Sequence, residues 1–196
     1  MTIKVINSTL SVLKHPMPLI RPSRDDDLDA ITRIYGHHVL HGTGTFETTP
    51  PSLADMTARR ADVLSKGLPW LVAEDGGQVL GFAYGNWFKP RPAYRFSVED
   101  SIYMDPAAHR KGLGRALLAE LMAALERSGV RKVMAVIGDS ANAGSIGVHK
   151  ALGFETVGVV QSCGWKFDRW LDIVLMQKTL GAGDTTPPVA PTESAA

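Results

Sequence analysis

The chain has one cysteine, Cys163, in 196 residues, so no disulfide can form within it and the count fits a reducing compartment. Cys163 sits in an apolar, strand-like run with no neighbouring histidine, which makes it a packing residue and not a nucleophile. Long apolar runs are missing too. None approaches the roughly 20 residues a membrane helix needs, and the N-terminus lacks a secretory pattern, so the chain reads as a cytoplasmic protein with no membrane partner. Excess charge is absent as well: a net charge of +1 gives no global field for nucleic acid. Cations therefore matter only where they cluster, and a cluster of that size suits a small polyanion. His37, His38 and His41 gather on one stretch, but no carboxylate or cysteine joins them at a metal-ligand spacing, so no metal is expected.

With 44% hydrophobic residues, the length suits one globular domain with a sizeable core. Its ends differ from the middle. Residues 1–16 show no periodicity and read as a poorly ordered extension, which makes Met17 an alternative first residue to Met1. Residues 17–180 form the domain. Residues 181–196, GAGDTTPPVAPTESAA, have three prolines and no aromatic residue, too little apolar surface to offset ordering entropy, and read as a disordered tail.

Within the domain, a short strand from Met17 to Pro22 precedes a helix start, Ser23 with Asp26, and an apolar stripe at Leu28, Ile31, Ile34 and Tyr35. A second helix opens at Ser52 and Asp55 and runs to about Lys66. Residues 70–74 and 78–86 flank Asp75-Gly76-Gly77 as an antiparallel hairpin. Leu113, Leu117, Leu121 and Leu125 recur at helical spacing up to Ser128-Gly129, and Val133 to Ile137 is an apolar run suited to a strand covered on both faces. A helix over 145–152 and strands over 156–166 and 170–178 complete a mixed α/β (α+β) fold with helices on both faces of one sheet.

The chemistry concentrates in Ser97 to Leu118, SVEDSIYMDPAAHRKGLGRALL. Alternation puts Phe96, Val98, Ile102 and Met104 on one face and Ser97, Glu99, Ser101 and Tyr103 on the other, with Asp100 interrupting the apolar face. His109-Arg110-Lys111-Gly112-Leu113-Gly114-Arg115 then brings cations and glycines to the mouth of a helix, where unpaired N–H groups and the dipole attract anions. A dinucleotide loop would want a third glycine and an acidic residue about 20 positions on, where Met134 stands. A nucleoside-triphosphate loop would want Lys and Ser/Thr where Arg115-Ala116 stands. A pyrophosphate cradle behind a strand that presents a base remains.

That order, with Asn142 and Leu152-Gly153-Phe154 behind it, resembles the GNAT acetyltransferase superfamily. The stretches Thr45-Phe46-Glu47, Arg91-Pro92-Ala93-Tyr94, Val98-Glu99-Asp100-Ser101-Ile102-Tyr103, His149-Lys150-Ala151-Leu152-Gly153-Phe154 and Trp165-Lys166-Phe167 narrow it to the phosphinothricin and methionine sulfone/sulfoximine N-acetyltransferases. The resemblance implies a mostly antiparallel sheet with one splayed parallel pair, acetyl-CoA as co-substrate held between the splayed strands, a small amino-acid-like amine as acceptor, and a homodimer. It implies cofactor contacts at Ile102, Tyr103, Met104, Arg110 through Arg115 (with Lys111, Gly112, Leu113 and Gly114), Asn142 and Ser145, and substrate contacts at Phe46, Glu47, Arg91, Tyr94 and Ser101. His109 stands where the family prefers Gln or Arg.

An amine must lose a proton to attack a thioester, since an α-amino group has a pKa of about 8. Glu99 is the expected base, its ordinary pKa of about 4.3 raised by burial, with Asp100 in reserve. His149 reads either as proton donor to the departing thiolate or as packing on its helix, and Asn142 either as a cofactor contact or as a helix cap. Backbone N–H groups near Tyr103 and Met104 are the expected oxyanion donors. Other amines, such as a polyamine, an aminoglycoside or a protein N-terminus, and a non-catalytic CoA-binding sensor, are the alternative readings.

Overall fold

In the computed structural model, which describes residues 18–108 and 112–188, capping boxes open a 3-10 turn, Asp25–Asp27, that runs into the first helix, and the second helix itself. His109, Arg110, Lys111, the alternative start at Met17 and residues 189–196 of the expected tail lie outside the described residues. Ser52 and Asp55 form the expected capping box, Asp55 N donating to Ser52 Oγ (3.2 Å) and Ser52 N to Asp55 Oδ2 (2.9 Å), and open α2, Leu53–Ser65. The start of α1, Leu28–His41, corrects the sequence reading by one position. Arg24 N donates to Asp27 Oδ2 (2.6 Å), while Ser23 Oγ instead accepts from Arg60 Nε of α2 (2.7 Å). Asp27 is clamped by both Arg21 Nη atoms (2.7 and 2.8 Å), which hold its carboxyl below the usual range.

Among the described residues, seven strands form one sheet: β1 (Leu19–Pro22), β2 (Trp70–Asp75), β3 (Gln78–Trp87), β4 (Ser97–Met104), β5 (Lys132–Gly138), β6 (Glu155–Lys166) and β7 (Arg169–Thr179), in the order β1-β2-β3-β4-β5-β7-β6. The β2–β3 hairpin turns through Gly76 and Gly77, both at positive φ (57° and 83°), the twist that two-residue hairpins favour. Every neighbour pair is antiparallel except β4–β5, whose crossover is α3, Leu113–Arg127. Leu117, Leu118, Leu121 and Leu125 of α3 are fully buried, each worth about 1.5–3 kcal/mol relative to exposure.

Alternation along β4 sorts the two layers. Tyr103 packs edge-on against Tyr35 of α1, with ring centroids 4.8 Å apart, so Glu99, Ser101 and Tyr103 face the α1/α2 layer. Val98 meets Leu125 over Gly85, and Asp100 meets His149 of α4 (Ala143–Ala151), so even-numbered residues face the α3/α4 layer. The sheet with helices on both faces is as the sequence implies. On β5, Val133, Ala135 and Ile137 are buried, but Met134 and Val136 are only half-buried. The expected cover on both faces therefore fails on one side, where Val136 lines a cleft. After β7, residues 181–188 run in turns tied back by Arg131, which donates to Gly183 O (3.3 Å). Among the described residues no helix is long and apolar enough to cross a membrane.

Candidate active site

Parallel pairing between β4 and β5 is short. It joins Ser97, Val98 and Glu99 to Lys132, Val133 and Met134, and then stops, while β5 continues beside β7 as far as Gly138. Beyond Glu99 the two strands splay and open a cleft of about 1060 Å³. The register of β3 with β4 fixes which backbone groups face that gap. Ser97 O accepts from Phe88 N and Asp105 N donates to Leu80 O, so odd-numbered residues of β4 bond to β3 and even-numbered amides turn to the β5 side. Of the two expected oxyanion donors, Met104 N–H thus faces the cleft, together with Ile102 N–H, whereas the backbone of Tyr103 is engaged with Phe82.

The cleft gathers most of the residues singled out in the sequence: Glu99, Ser101, Ile102, Tyr103 and Met104 from β4, Gly112 to Arg115 from the start of α3, Asn142, Ser145 and His149 from α4, and Phe46 and Glu47 from the loop after α1. It does not gather Arg91 and Tyr94. These belong to an exposed turn between β3 and β4, where the ring of Tyr94 packs edge-on to Phe88 (6.0 Å).

At one end, Gly112 caps α3 in the left-handed conformation (φ 72°), with no atom of the described residues within 4 Å of where a Cβ would stand. The helix has no side-chain cap there, so the N–H groups of its first turn point out of an open, glycine-lined mouth. Asn142 is the N-cap of α4, its Oδ1 accepting from Ser145 N (3.2 Å), which answers the cap alternative affirmatively while leaving Asn142 on the cleft wall.

Glu99 occupies the point where the strands part. Burial pushes its carboxyl above the ordinary value and the neighbouring Asp100 charge adds to that, while Lys89 opposes it. Across the sheet, Tyr84 is pushed up to about 12, mainly by burial, against a hydrogen bond with Ser101. Asp100 and His149 lie on the opposite face, 7% and 2% exposed, with Nε2 3.0 Å from Asp100 Oδ2. His149 Nδ1–H donates to Ser145 O (2.7 Å). Both ring nitrogens thus have internal partners, while the ring also lines the cleft. Asp100 Oδ1 is buried with no hydrogen-bond partner among the described residues.

Glu47 does not stand alone. Arg59 of α2 forks onto it, Nη1 to Oε1 at 2.7 Å and Nη2 to Oε2 at 3.1 Å, with the guanidinium 5.5 Å over the Tyr35 ring. Arg59 lines the cleft and was not singled out in the sequence, where no motif marks it. His37 and His41 pack ring to ring (4.8 Å), and no group of three or more metal-ligating side chains occurs among the described residues.

Residues 37–154 match the sequence model of the Acetyltransferase (GNAT) family. The chain is 53% identical over 169 residues to the phosphinothricin N-acetyltransferase of Alcaligenes faecalis, covering 86% of each chain. It is 39% identical to the L-methionine sulfoximine/L-methionine sulfone acetyltransferase of Pseudomonas aeruginosa, covering 86% of this chain and 98% of that one. The crystal structure of a GNAT phosphinothricin acetyltransferase from Sinorhizobium meliloti in complex with AcCoA superposes with a TM-score of 0.87 at 44% identity, over 91% of this chain and 96% of that one. A strand pair that splays beside a glycine-lined helix mouth, at this degree of likeness, makes the chain an N-acetyltransferase of the GNAT family, in the branch of the phosphinothricin and methionine sulfoximine/sulfone acetyltransferases.

Proposed function

We propose that this enzyme acetylates the amino group of a small, oxyanion-bearing amino acid of the phosphinothricin, methionine sulfone or methionine sulfoximine kind, by direct transfer with Glu99 as general base. The observation that carries the reading is Glu99 itself: a carboxylate at the point where β4 leaves β5, on the cleft wall, made more basic by burial. An amine with a pKa of about 8 is mostly protonated at neutral pH, and a carboxylate raised toward that range can take its proton directly or through one water.

Acetyl-CoA, when bound, supplies the thioester carbonyl that the amine attacks. The residues present fit it. The open mouth at Gly112, with the first-turn N–H groups of Leu113, Gly114 and Arg115, suits a pyrophosphate, and the cations Arg110 and Lys111 immediately precede it in sequence. Met104 N–H, directed into the gap, donates to the carbonyl oxygen as negative charge gathers there. The nitrogen–carbon bond would form as the carbon–sulfur bond breaks; of the two protons the ammonium loses, one would leave through Glu99 to solvent and the other would end on the departing thiolate.

Lys89 sits close enough to act on the Glu99 charge, so the cationic loop of Lys89, Arg91 and Arg95 gives the amine side a preference for oxyanions over polycations. Ser101 adds a hydroxyl donor, and Phe46 and Glu47 wall the pocket. The outer surface of the β6–β7 hairpin exposes Val157, Val159, Trp165, Phe167 and Trp170, and this apolar face supports a homodimer. A single cysteine supports a cytoplasmic setting.

Thiol release from acetyl-CoA across an amine panel tests the reading. Turnover with phosphinothricin, methionine sulfone or methionine sulfoximine, and not with spermidine, an aminoglycoside or an N-terminal peptide, is the expected result. Turnover confined to the cationic amines would overturn the substrate class, and no turnover with any amine would overturn the enzyme reading.

A further inference from the structure

The loop from Gly42 to Glu47 belongs to no helix or strand, yet it forms one wall of the cleft and carries Phe46 and Glu47. Something outside it must hold it. Its backbone carbonyls at Gly42 and Thr45 are both accepted partners of a single side chain, Lys166, whose Nζ lies 2.8 Å from each. Lys166 is the last residue of β6, separated from the loop by 124 and 121 positions in sequence and from the cleft by the loop itself. Its side chain is 4% exposed, with the ring of Phe167 5.0 Å from the ammonium. No carboxylate hydrogen-bonds to it: its two hydrogen-bond partners among the described residues are those carbonyls.

An ammonium is an unfavourable group to bury when a neutral donor would satisfy one carbonyl. Three N–H bonds on one atom, however, can gather two carbonyls that no ladder pairs, and charge-assisted bonds are about twice as strong as neutral ones. A second contact agrees with the first. Phe46 lies against Gly164, two residues before Lys166, so closely that a Cβ at Gly164 would overlap the ring, and a Cβ at Gly138 of β5 would overlap the Thr43 carbonyl. The far end of the sheet is thus cut away at two glycines to seat the loop, and one cation fastens it.

We infer that Lys166 is a positioning residue for the acceptor side of the site: it ties the 42–45 backbone to β6 so that Phe46 and Glu47 stand in fixed places against the amine. The inference rests on the proposed function for the identity of that amine, but the tether itself does not. Lys166→Met keeps the apolar stem and removes the donors. Losing two charge-assisted bonds should speed amide hydrogen exchange across residues 42–47 by about tenfold or more, leave exchange in β3 and β4 unchanged, and raise KM for the amine about tenfold while KM for acetyl-CoA stays within about twofold. Gly164→Ala, which leaves Lys166 in place and displaces Phe46, should raise the amine KM without touching acetyl-CoA. Exchange is read on the protein alone, so faster exchange with no active amine upholds the tether and sinks only the substrate reading. Unchanged exchange in Lys166→Met, or equal rises in both KM values in both variants, would overturn the assignment.

Discussion

Replacing Asp100 by Asn should destabilise the protein strongly in acid and weakly in alkali. Ser145 O can only accept a hydrogen bond, so His149 carries a proton on Nδ1, and its Nε2 shares a second proton with Asp100. Burial disfavours the imidazolium, but the Asp100 hydrogen bond and charge, with the Ser145 carbonyl, outweigh it and leave His149 above its usual pKa. A group whose folded pKa is raised contributes stability that is fully present below the unfolded value of about 6.5 and is lost as pH climbs through the folded one. In Asp100→Asn the counter-charge is gone and only the Ser145 carbonyl opposes burial, so the sign reverses: folding then expels the proton, at a cost that grows as pH falls.

The size follows from the geometry. Breaking a buried ion pair by removing one partner costs about 3–5 kcal/mol. Above the folded pKa the imidazole is neutral, and the Asn amide can donate to Nε2, so the loss is about 1 kcal/mol. At about 2–4 °C per kcal/mol for a chain of this size, Tm should fall by about 6–20 °C near pH 5.5 and by no more than about 4 °C near pH 9. Calorimetry of both proteins at the two pH values measures the difference, in which every other titrating group cancels to first order. The same substitution removes one of the influences that raise Glu99, so the acidic limb of kcat/KM should move to lower pH. A Tm difference that does not change with pH would refute the shared-proton pair.

Two further outcomes follow from single residues. Glu99→Gln should lower kcat by about 10²–10⁴-fold at neutral pH with the melting temperature nearly unchanged, and a near-wild-type rate in the thiol-release assay would remove Glu99 from the mechanism. Asp168→Gly should stabilise: Phe167 and Asp168 both hold positive φ (53° and 54°) in the β6–β7 turn, and relieving one left-handed residue at about 1–2 kcal/mol, less about 0.5–1 kcal/mol of glycine entropy, should raise Tm by a few degrees in a melting scan. An unchanged or lower Tm would count against the strain.

What the sequence made legible was local. The Ser52/Asp55 cap, the Gly76-Gly77 hairpin and the β4–α3–β5 unit each arise from residues within a few positions of one another, where periodicity and turn chemistry act directly. The start of α1 was misplaced because a residue from α2, Arg60, claims Ser23 Oγ, and no local rule can register a partner 37 positions away. The site divides along the same line. Its cradle and its base lie on one strand–turn–helix segment and were readable there. Arg59 on Glu47, Lys166 on the 42–45 loop and His149 on Asp100 join residues 12, 121 to 124 and 49 positions apart, and each single residue has an ordinary explanation on its own. Asp100 alone left a trace: a carboxylate interrupting the apolar face of β4 requires a buried partner, and the only question open to the sequence was which one. The fold answers with His149, and so places a buried carboxylate–imidazole contact directly behind the base on the same strand.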